Sequence, residues 1–297
     1  MRELGRMPAR LRGQVRENWV ARHLGLSFAL LVLGVFILGA IFAPWLAPHN
    51  PVIADPTASL VPPGSPGHLL GTDSIGHDIL SQLMYAPRID LVVPVVATVV
   101  SFAIGVPIGA WIGFYSDRQG FLGLASGQLM RAVDILQAFP VFVLALVLVA
   151  TLGRSEINVV YALVVLETPV FLRLTRSSVG SVRQRTFVEA ARTAGTSEIR
   201  IILGHVMPNA IGPALINASV LTGSGILITA GLSFVGAGVP PPTPEWGLMV
   251  SEGSENIITG QWWVTVFPGI CIGLAVFSLA LVGGWLTELL DPRRRSW

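Results

Sequence analysis

Lysine is absent from this chain: all 19 of its Lys or Arg positions are arginine. That absence removes several function classes. A phosphate-binding P-loop ends in Gly-Lys-Ser/Thr because its lysine reaches the β- and γ-phosphates. A kinase needs its strand lysine, and a Schiff-base enzyme needs an amine. Cysteine is nearly absent as well. Cys271 stands alone, which excludes an internal disulfide and a cysteine-cluster metal site. Charge of either sign is scarce. Charged residues make up 12% of the chain, against about 25% in an ordinary soluble domain.

What fills the chain is apolar: 52% of its 297 residues are hydrophobic. Five stretches carry no Asp, Glu or Arg: Leu24 to Ala54, Leu91 to Ser116, Ile135 to Gly153, Ile201 to Pro244, and Asn256 to Thr287. A helix needs about 20 apolar residues to cross about 30 Å of hydrocarbon. Buried helices of soluble proteins carry a polar face well before that length. The chain therefore reads as an all-α polytopic membrane protein. Six spans are predicted, at 24–46, 91–115, 132–152, 157–176, 209–235 and 263–286. The fourth is the weakest, because Glu167 and Pro169 interrupt it.

The arginines orient these spans. With the N-terminus inside, only Arg88 and Arg154 fall in outside segments, and every other arginine falls inside. Both termini are then cytoplasmic. The basic balance is a topology signal and not a nucleic-acid footprint, since no aromatics interleave to stack bases. The first apolar stretch is too long for a signal-peptide core of 7–15 residues. Pro44, Trp45 and Pro48 follow it where a small-x-small cleavage site would stand, so a retained span is expected.

The cytoplasmic loop between spans four and five, within 185–208, is helical in composition. A first short helix is expected from Arg185 to Ala194, with Gly195 in the left-handed position that ends it. Thr196 or Ser197 would cap a second helix with Glu198 in its first turn, and Pro208 would stop the motif at the membrane face. From the residues alone, an amphipathic helix lying on anionic lipid accounts for this loop as well as a docking element does.

The loop also carries a pattern. Glu189-Ala190-Ala191, three residues, Gly195, nine residues, then His205-Val-Met207-Pro208 resembles the cytoplasmic EAA loop of ABC importer permeases. That family has Ile and Leu where His205 and Met207 stand. The His form is typical of its peptide and nickel branch. His68-Leu-Leu-Gly71-Thr72-Asp73-Ser-Ile-Gly76-His77-Asp78-Ile-Leu-Ser81 resembles the H-W-L-G-T-D-x-x-G-R-D-V-L-S segment of dipeptide/oligopeptide permeases, with His77 replacing Arg. The run from Gly231-Leu-Ser-Phe to Pro244-Glu245-Trp246-Gly247 and the closing Asp291-Pro-Arg resemble two further segments of theirs. The likeness covers nearly the whole chain after residue 25, and the chain looks like the C-type permease subunit of such an importer.

The resemblance implies a type I ABC importer permease fold in the bacterial cytoplasmic membrane. It implies a transmembrane subunit of an ATP-driven importer of dipeptides or oligopeptides, not itself an enzyme. No catalytic residue, metal or cofactor is assigned to this chain; ATP and Mg²⁺ would belong to separate ATPase subunits. The implied partners are a homologous permease, one or two kinds of cytoplasmic ATPase, and an extracytoplasmic solute-binding protein. Membrane lipid surrounds the chain, and no nucleic acid is involved. Glu189, Ala190, Ala191, Gly195, His205 and Pro208 would form the ATPase-coupling loop. The chain would divide into an Arg-rich segment 1–23, a first helix 24–46, an extracytoplasmic loop 47–90, a permease core 91–288 and a tail 289–297. Importers of nickel chelates, glutathione or oligosaccharides share this permease type, so the substrate stays open.

The remaining polar residues divide between structural and functional readings. Glu167 is costly inside a membrane and is a candidate translocation-path residue or a proton carrier. It serves equally as a hydrogen-bonded helix contact beside Pro169. A proton-coupled secondary transporter would show repeats or several intramembrane acids, and neither is visible. His49, His68, Asp73, His77 and Asp78 share one loop with irregular spacing, which turns and caps explain without a metal. Arg131 and Asp134 are spaced for an i, i+3 pair, and Ala138-Phe139-Pro140 for a kink. Trp45, Trp246, Trp262 and Trp263 are expected in the interfacial belt. No Ser/His pair, H-E-x-x-H or paired intramembrane carboxylates suggest an embedded enzyme.

Overall fold

In a computed structural model, residues 9–116 and 121–290 are described, with side chains from residue 24 onward and Leu122 excepted. The first eight residues, Arg118 and the Asp291-Pro-Arg closing segment lie outside the described residues. The chain runs α1 (Ala9–Leu46), α2 (Ile79–Tyr85), α3 (Pro87–Asp90), α4 (Val92–Tyr115), α5 (Phe121–Gln137) and α6 (Val141–Leu152). It continues α7 (Glu156–Val182), α8 (Thr186–Thr193), α9 (Glu198–Ile201), α10 (Met207–Ala210), α11 (Gly212–Phe234), α12 (Trp246–Gly253) and α13 (Trp263–Leu290). Among the described residues there is no strand, only two isolated bridges in the 65–78 loop.

Five helical stretches are long and apolar enough to cross a membrane: Leu24–Leu46, Ile79–Tyr115, Glu156–Val182, Gly212–Phe234 and Trp263–Leu290. The expected span at 132–152 is formed by two helices, bent by 91° between Gln137 and Val141, which together make a sixth candidate span. Pro140 explains the break: it supplies no N–H, and it drives Phe139 out of the helical region. At 1.5 Å per residue, the 12-residue α6 is only about 18 Å long, so it does not cross alone. The kink expected at 138–140 is real but is a corner rather than a bend. The fourth span, weak by hydropathy, extends through a 27-residue helix. Ser155 caps it, its Oγ accepting the Asn158 N–H at 3.2 Å.

Helix α7 is the centre of the bundle. It lies along α4, while α11 packs on α13, α4 and α7, and α1 packs on α13. Lipid tails are as apolar as leucine, so hydrophobicity alone does not hold such helices together; close backbone approach does. Gly105, Gly109 and Gly113 supply it on one stripe of α4. A Cβ added at Gly105 would stand 2.7 Å from the Thr168 carbonyl oxygen, and one at Gly113 2.6 Å from that of Arg176. The tryptophans divide into two kinds. Trp45 and Trp262 are exposed, as a belt requires. Trp246 and Trp263 are buried instead. The Trp246 ring packs on Phe36 at 5.0 Å, and Trp263 Nε1 donates to the Thr72 carbonyl at 3.2 Å.

Candidate functional site

The EAA segment folds as a compact helical unit at the end of the bundle formed by the termini of α4 and α7. Helix α8 covers Thr186–Thr193, one residue short of the expected limits at each side. Gly195 follows at φ +80°, the left-handed geometry expected. Its N–H donates to the Arg192 carbonyl and the Thr196 N–H to that of Ala191, each at 3.1 Å. These bonds satisfy carbonyls that the helix end leaves free. Ser197 occupies the next cap position, with Glu198 in the first turn. Glu198 also pairs with Arg192 at 3.3 Å, closing the corner between α8 and α9.

Pro208 does not stop the motif. The chain passes through a π-helical turn over Ile202–Val206 and continues into α10, with Pro208 in its first turn. Proline lacks the N–H that would close a regular turn there, and a widened turn accommodates that loss. The Asn209 side-chain amide then donates to the His205 carbonyl at 2.7 Å.

This unit has two faces. Val188, Ile201 and Val206 are buried against Ala110, Phe114, Val179 and Val182. Arg183 donates to the Phe114 carbonyl at 2.8 Å, and the Arg192 guanidinium lies 5.8 Å from the Phe114 ring centroid. The other face presents Glu189, Ala190, Gly195, His205 and Pro208, all exposed. Phe187, Ile199 and Leu203 lie exposed in the same unit, the last two at 69% and 66%. The sequence pattern singled out the small and polar positions and passed over these three. Their signal was present: they fall off the stripe of Val188, Ile201 and Val206 that reaches the core.

Glu167 lies where α4, α7 and α11 meet and is only 4% exposed. The Thr98 and Ser101 hydroxyls stand beside it, yet neither carboxylate oxygen has a hydrogen-bond partner of ordinary geometry. Gly225 on α11 makes the room; a Cβ there would sit 3.4 Å from Glu167 Oε1. Thr222 Oγ1 donates to Thr98 Oγ1 at 3.2 Å in the same contact. A separate cavity of about 260 Å³ opens at the α5–α6 corner, lined by Gln137, Phe139, Val141, Pro169, Val170 and Arg173 among others. Glu167 is not among its lining residues. Asp134 pairs across to Arg173 on α7 at 2.7 Å, in place of the i, i+3 partner Arg131 expected from spacing.

The opposite end of the bundle carries the 47–90 loop and α12. Asp73 Oδ1 accepts the N–H groups of Ile75, Gly76 and His77 at 2.8–3.0 Å, and its Oδ2 pairs with His77 Nδ1 at 2.8 Å. Burial pushes the Glu252 carboxyl up, the Asp73 charge adds to the rise, and His77 pulls it back. The hydroxyl and N–H of Thr57 hold the Asp55 carboxyl low. One carboxyl pair, Asp90 with Glu245, is brought together from positions far apart in the chain. Both are fully buried, and Asp90 Oδ2 accepts the Trp246 N–H at 3.0 Å. Glu245 caps α12, accepting from Gly247 and Leu248. No local pattern marks such a pair.

Comparison with known proteins gives the arrangement its relatives. Residues 22–63 match the N-terminal TM domain of oligopeptide transport permease C. The chain is 39% identical to the dipeptide transport system permease protein DppC of Escherichia coli, across 95% of this chain and 94% of that one. It is 36% identical to the di/tripeptide transport system permease protein DppC of Pseudomonas aeruginosa, across 95% and 93%. It is 38% identical to the probable D,D-dipeptide permease DdpC of Escherichia coli, across 89% and 86%. The fold is similar to that of a chain of the MetNI methionine ABC transporter in an inward-facing conformation. The TM-score is 0.57 at 17% identity, covering 71% of this chain and 96% of that one. Residues 105–296 match the binding-protein-dependent transport system inner membrane component, and the chain belongs to that permease family as a multi-pass inner-membrane protein.

Proposed function

We propose that this chain is the transmembrane permease subunit of an ATP-driven importer of dipeptides or oligopeptides. The observation that carries the coupling role is the two-faced EAA unit. One face is fixed to α4 and α7 through Val188, Ile201 and Val206. The other exposes Phe187, Ile199 and Leu203 among small and charged residues. Large apolar side chains left exposed among polar ones suit a protein-docking surface. A cytoplasmic ATPase is the partner of the right kind, because a chain without lysine has no P-loop of its own. A homologous permease would complete the pathway, and an extracytoplasmic binding protein would deliver the peptide. The curated relatives are named for dipeptide and di/tripeptide transport, which supports the substrate class.

The mechanism follows from mechanical continuity. Helix α7 runs without interruption from Glu156 to Val182, and after three intervening residues the chain enters α8. Force applied by an ATPase to α8 therefore reaches the interior through a helix locked to α4. ATP-driven closure of the ATPases would rock α4 and α7 as one body. By linkage, a docked and loaded binding protein would favour ATPase closure by the same free energy. Glu167 serves this unit as a buried polar contact between α4, α7 and α11.

The test is ATP hydrolysis by the reconstituted complex with and without loaded binding protein. Ala190→Trp places a large ring on the docking face, and Gly195→Val forces a β-branched residue to φ +80°. Neither position has packed neighbours to disturb: Ala190 is exposed, and no atom lies within 4 Å of a Cβ added at Gly195. Both variants should reach the membrane normally and lose ligand-stimulated hydrolysis. Overpacking costs about 1–3 kcal/mol, or about 5- to 150-fold in association with the ATPase. Wild-type stimulation in both would leave the loop as a lipid-surface helix.

A further inference from the structure

We propose that the 47–90 loop holds a divalent transition-metal site of the zinc class, built from His49, His68 and Asp78. The spacing of these residues in the chain assigned them no such role. The fold brings one ligand atom from each within 4.8 Å of the others. Asp78 Oδ1 is the shared point: His68 Nδ1 lies 3.0 Å from it and His49 Nδ1 3.8 Å. The two imidazoles lie stacked, ring centroids 4.7 Å apart at 23°.

The geometry suits an ion better than a hydrogen bond alone. Zinc bonds to imidazole nitrogen and carboxylate oxygen at about 2.0–2.2 Å, so tetrahedral ligand atoms stand about 3.3–3.5 Å apart. The two separations to Asp78 Oδ1 lie on either side of that value, and all three ligand atoms lie within 4.8 Å of one another. A hydrogen bond accounts for His68, but 3.8 Å is too long for one to His49. Metal binding would require the half-exposed His49 ring to turn toward Asp78 Oδ1. Two nitrogens and one oxygen suit zinc, cobalt or nickel, whereas calcium and magnesium require oxygen ligands. The exposure of His49 leaves a path from solvent and a coordination position for water.

The supporting shell is already in place. Asp78 Oδ2 accepts from the Ser81 N–H at 2.8 Å and from the Ser81 hydroxyl at 2.6 Å. That fixes the carboxylate plane and aims Oδ1 at the imidazoles. The same Ser81 Oγ accepts the His49 backbone N–H at 3.0 Å, which anchors the second ligand's main chain. Outer partners of this kind fix ligand orientation, and their removal costs 10- to 100-fold in metal affinity. A bound ion would tie the chain just beyond α1 to the start of α2, closing a loop that is otherwise held by turns.

The experiment is a titration of the full-length chain, purified through a tag without histidine, with Zn²⁺ against a competing chelator and with Co²⁺ by visible absorption. One ion per chain is expected, with the d–d bands of a low-symmetry cobalt site. His49→Ala should weaken binding by about 100-fold or more, and Ser81→Ala by about 10- to 100-fold. His49 is half exposed, so His49→Ala should keep the wild-type circular dichroism and thermal midpoint in chelator. The proposal is overturned if the wild type holds no ion at about micromolar Zn²⁺. It is equally overturned if a well-folded His49→Ala binds as tightly as wild type.

Discussion

Adding one methyl group at Gly109 should loosen the central helix pair. A Cβ there would stand 3.0 Å from Leu172 Cα and 3.0 Å from Thr175 Cβ, and it would press closer still on the Leu172 carbonyl oxygen. Two of these atoms are helix backbone and the third is a Cβ fixed to it, so none can rotate away as a side-chain tip can. The strain therefore lies toward the upper end of the 1–3 kcal/mol typical of overpacking, about 3 kcal/mol. Alanine also has the better helix propensity, which offsets about 1 kcal/mol. The net loss for Gly109→Ala is about 2 kcal/mol, or about 30-fold in the folding equilibrium. Gly180→Ala on α7 is the control, because no atom lies within 4 Å of a Cβ added there. It keeps the propensity gain without the clash and should be neutral or stabilising. Reversible unfolding of the purified chain in mixed micelles with SDS, followed by circular dichroism, compares the two. If Gly109→Ala unfolds at the same or a higher SDS fraction than Gly180→Ala, close approach of α4 and α7 is not what holds the pair.

Glu167→Gln should retain most transport, because the amide keeps the shape of the three-helix contact; a loss beyond about tenfold with normal assembly would make Glu167 a pathway residue. On a Cys271→Ser background, Ser59→Cys should react with impermeant thiol reagents from outside and Ala190→Cys only after the inner face is opened; the reverse pattern would invert the topology. Asp90→Asn should be tolerated, since the amide oxygen still accepts the Trp246 N–H and its nitrogen donates to Glu245. Asp90→Ala strands that N–H and should cost about 1–3 kcal/mol in the same SDS titration; equal stability of the two would sink this account of the pair.

How much of this was legible beforehand depended on the range of each interaction. Spans 24–46 and 263–286 were readable because crossing hydrocarbon is a local demand on consecutive residues. The α5–α6 corner was half readable: Pro140 marks a break, but no residue announces 91°. Gly195 was readable because a left-handed turn restricts the residue that occupies it. The Gly105, Gly109 and Gly113 stripe was written in the sequence at four-residue intervals and needed only the small-xxx-small rule. The burial of Trp246 was not readable. A tryptophan beside prolines at a span end fits the interface equally well until Phe36 and Asp90 are brought to it.

The same distinction separates the two ends of the molecule. The EAA unit is continuous in sequence, from Thr186 to Ala210, so its pattern survives as a motif. The opposite end is assembled from three distant pieces. Asp90 meets Glu245 and Trp246, Thr72 meets Trp263, and Asp73 and His77 act on Glu252. Glu245 caps α12 and Trp263 opens α13, so the polar groups that meet the 47–90 loop are also the ones that seat α12. A change at His77 therefore acts on α12 through Glu252 rather than on its own loop alone.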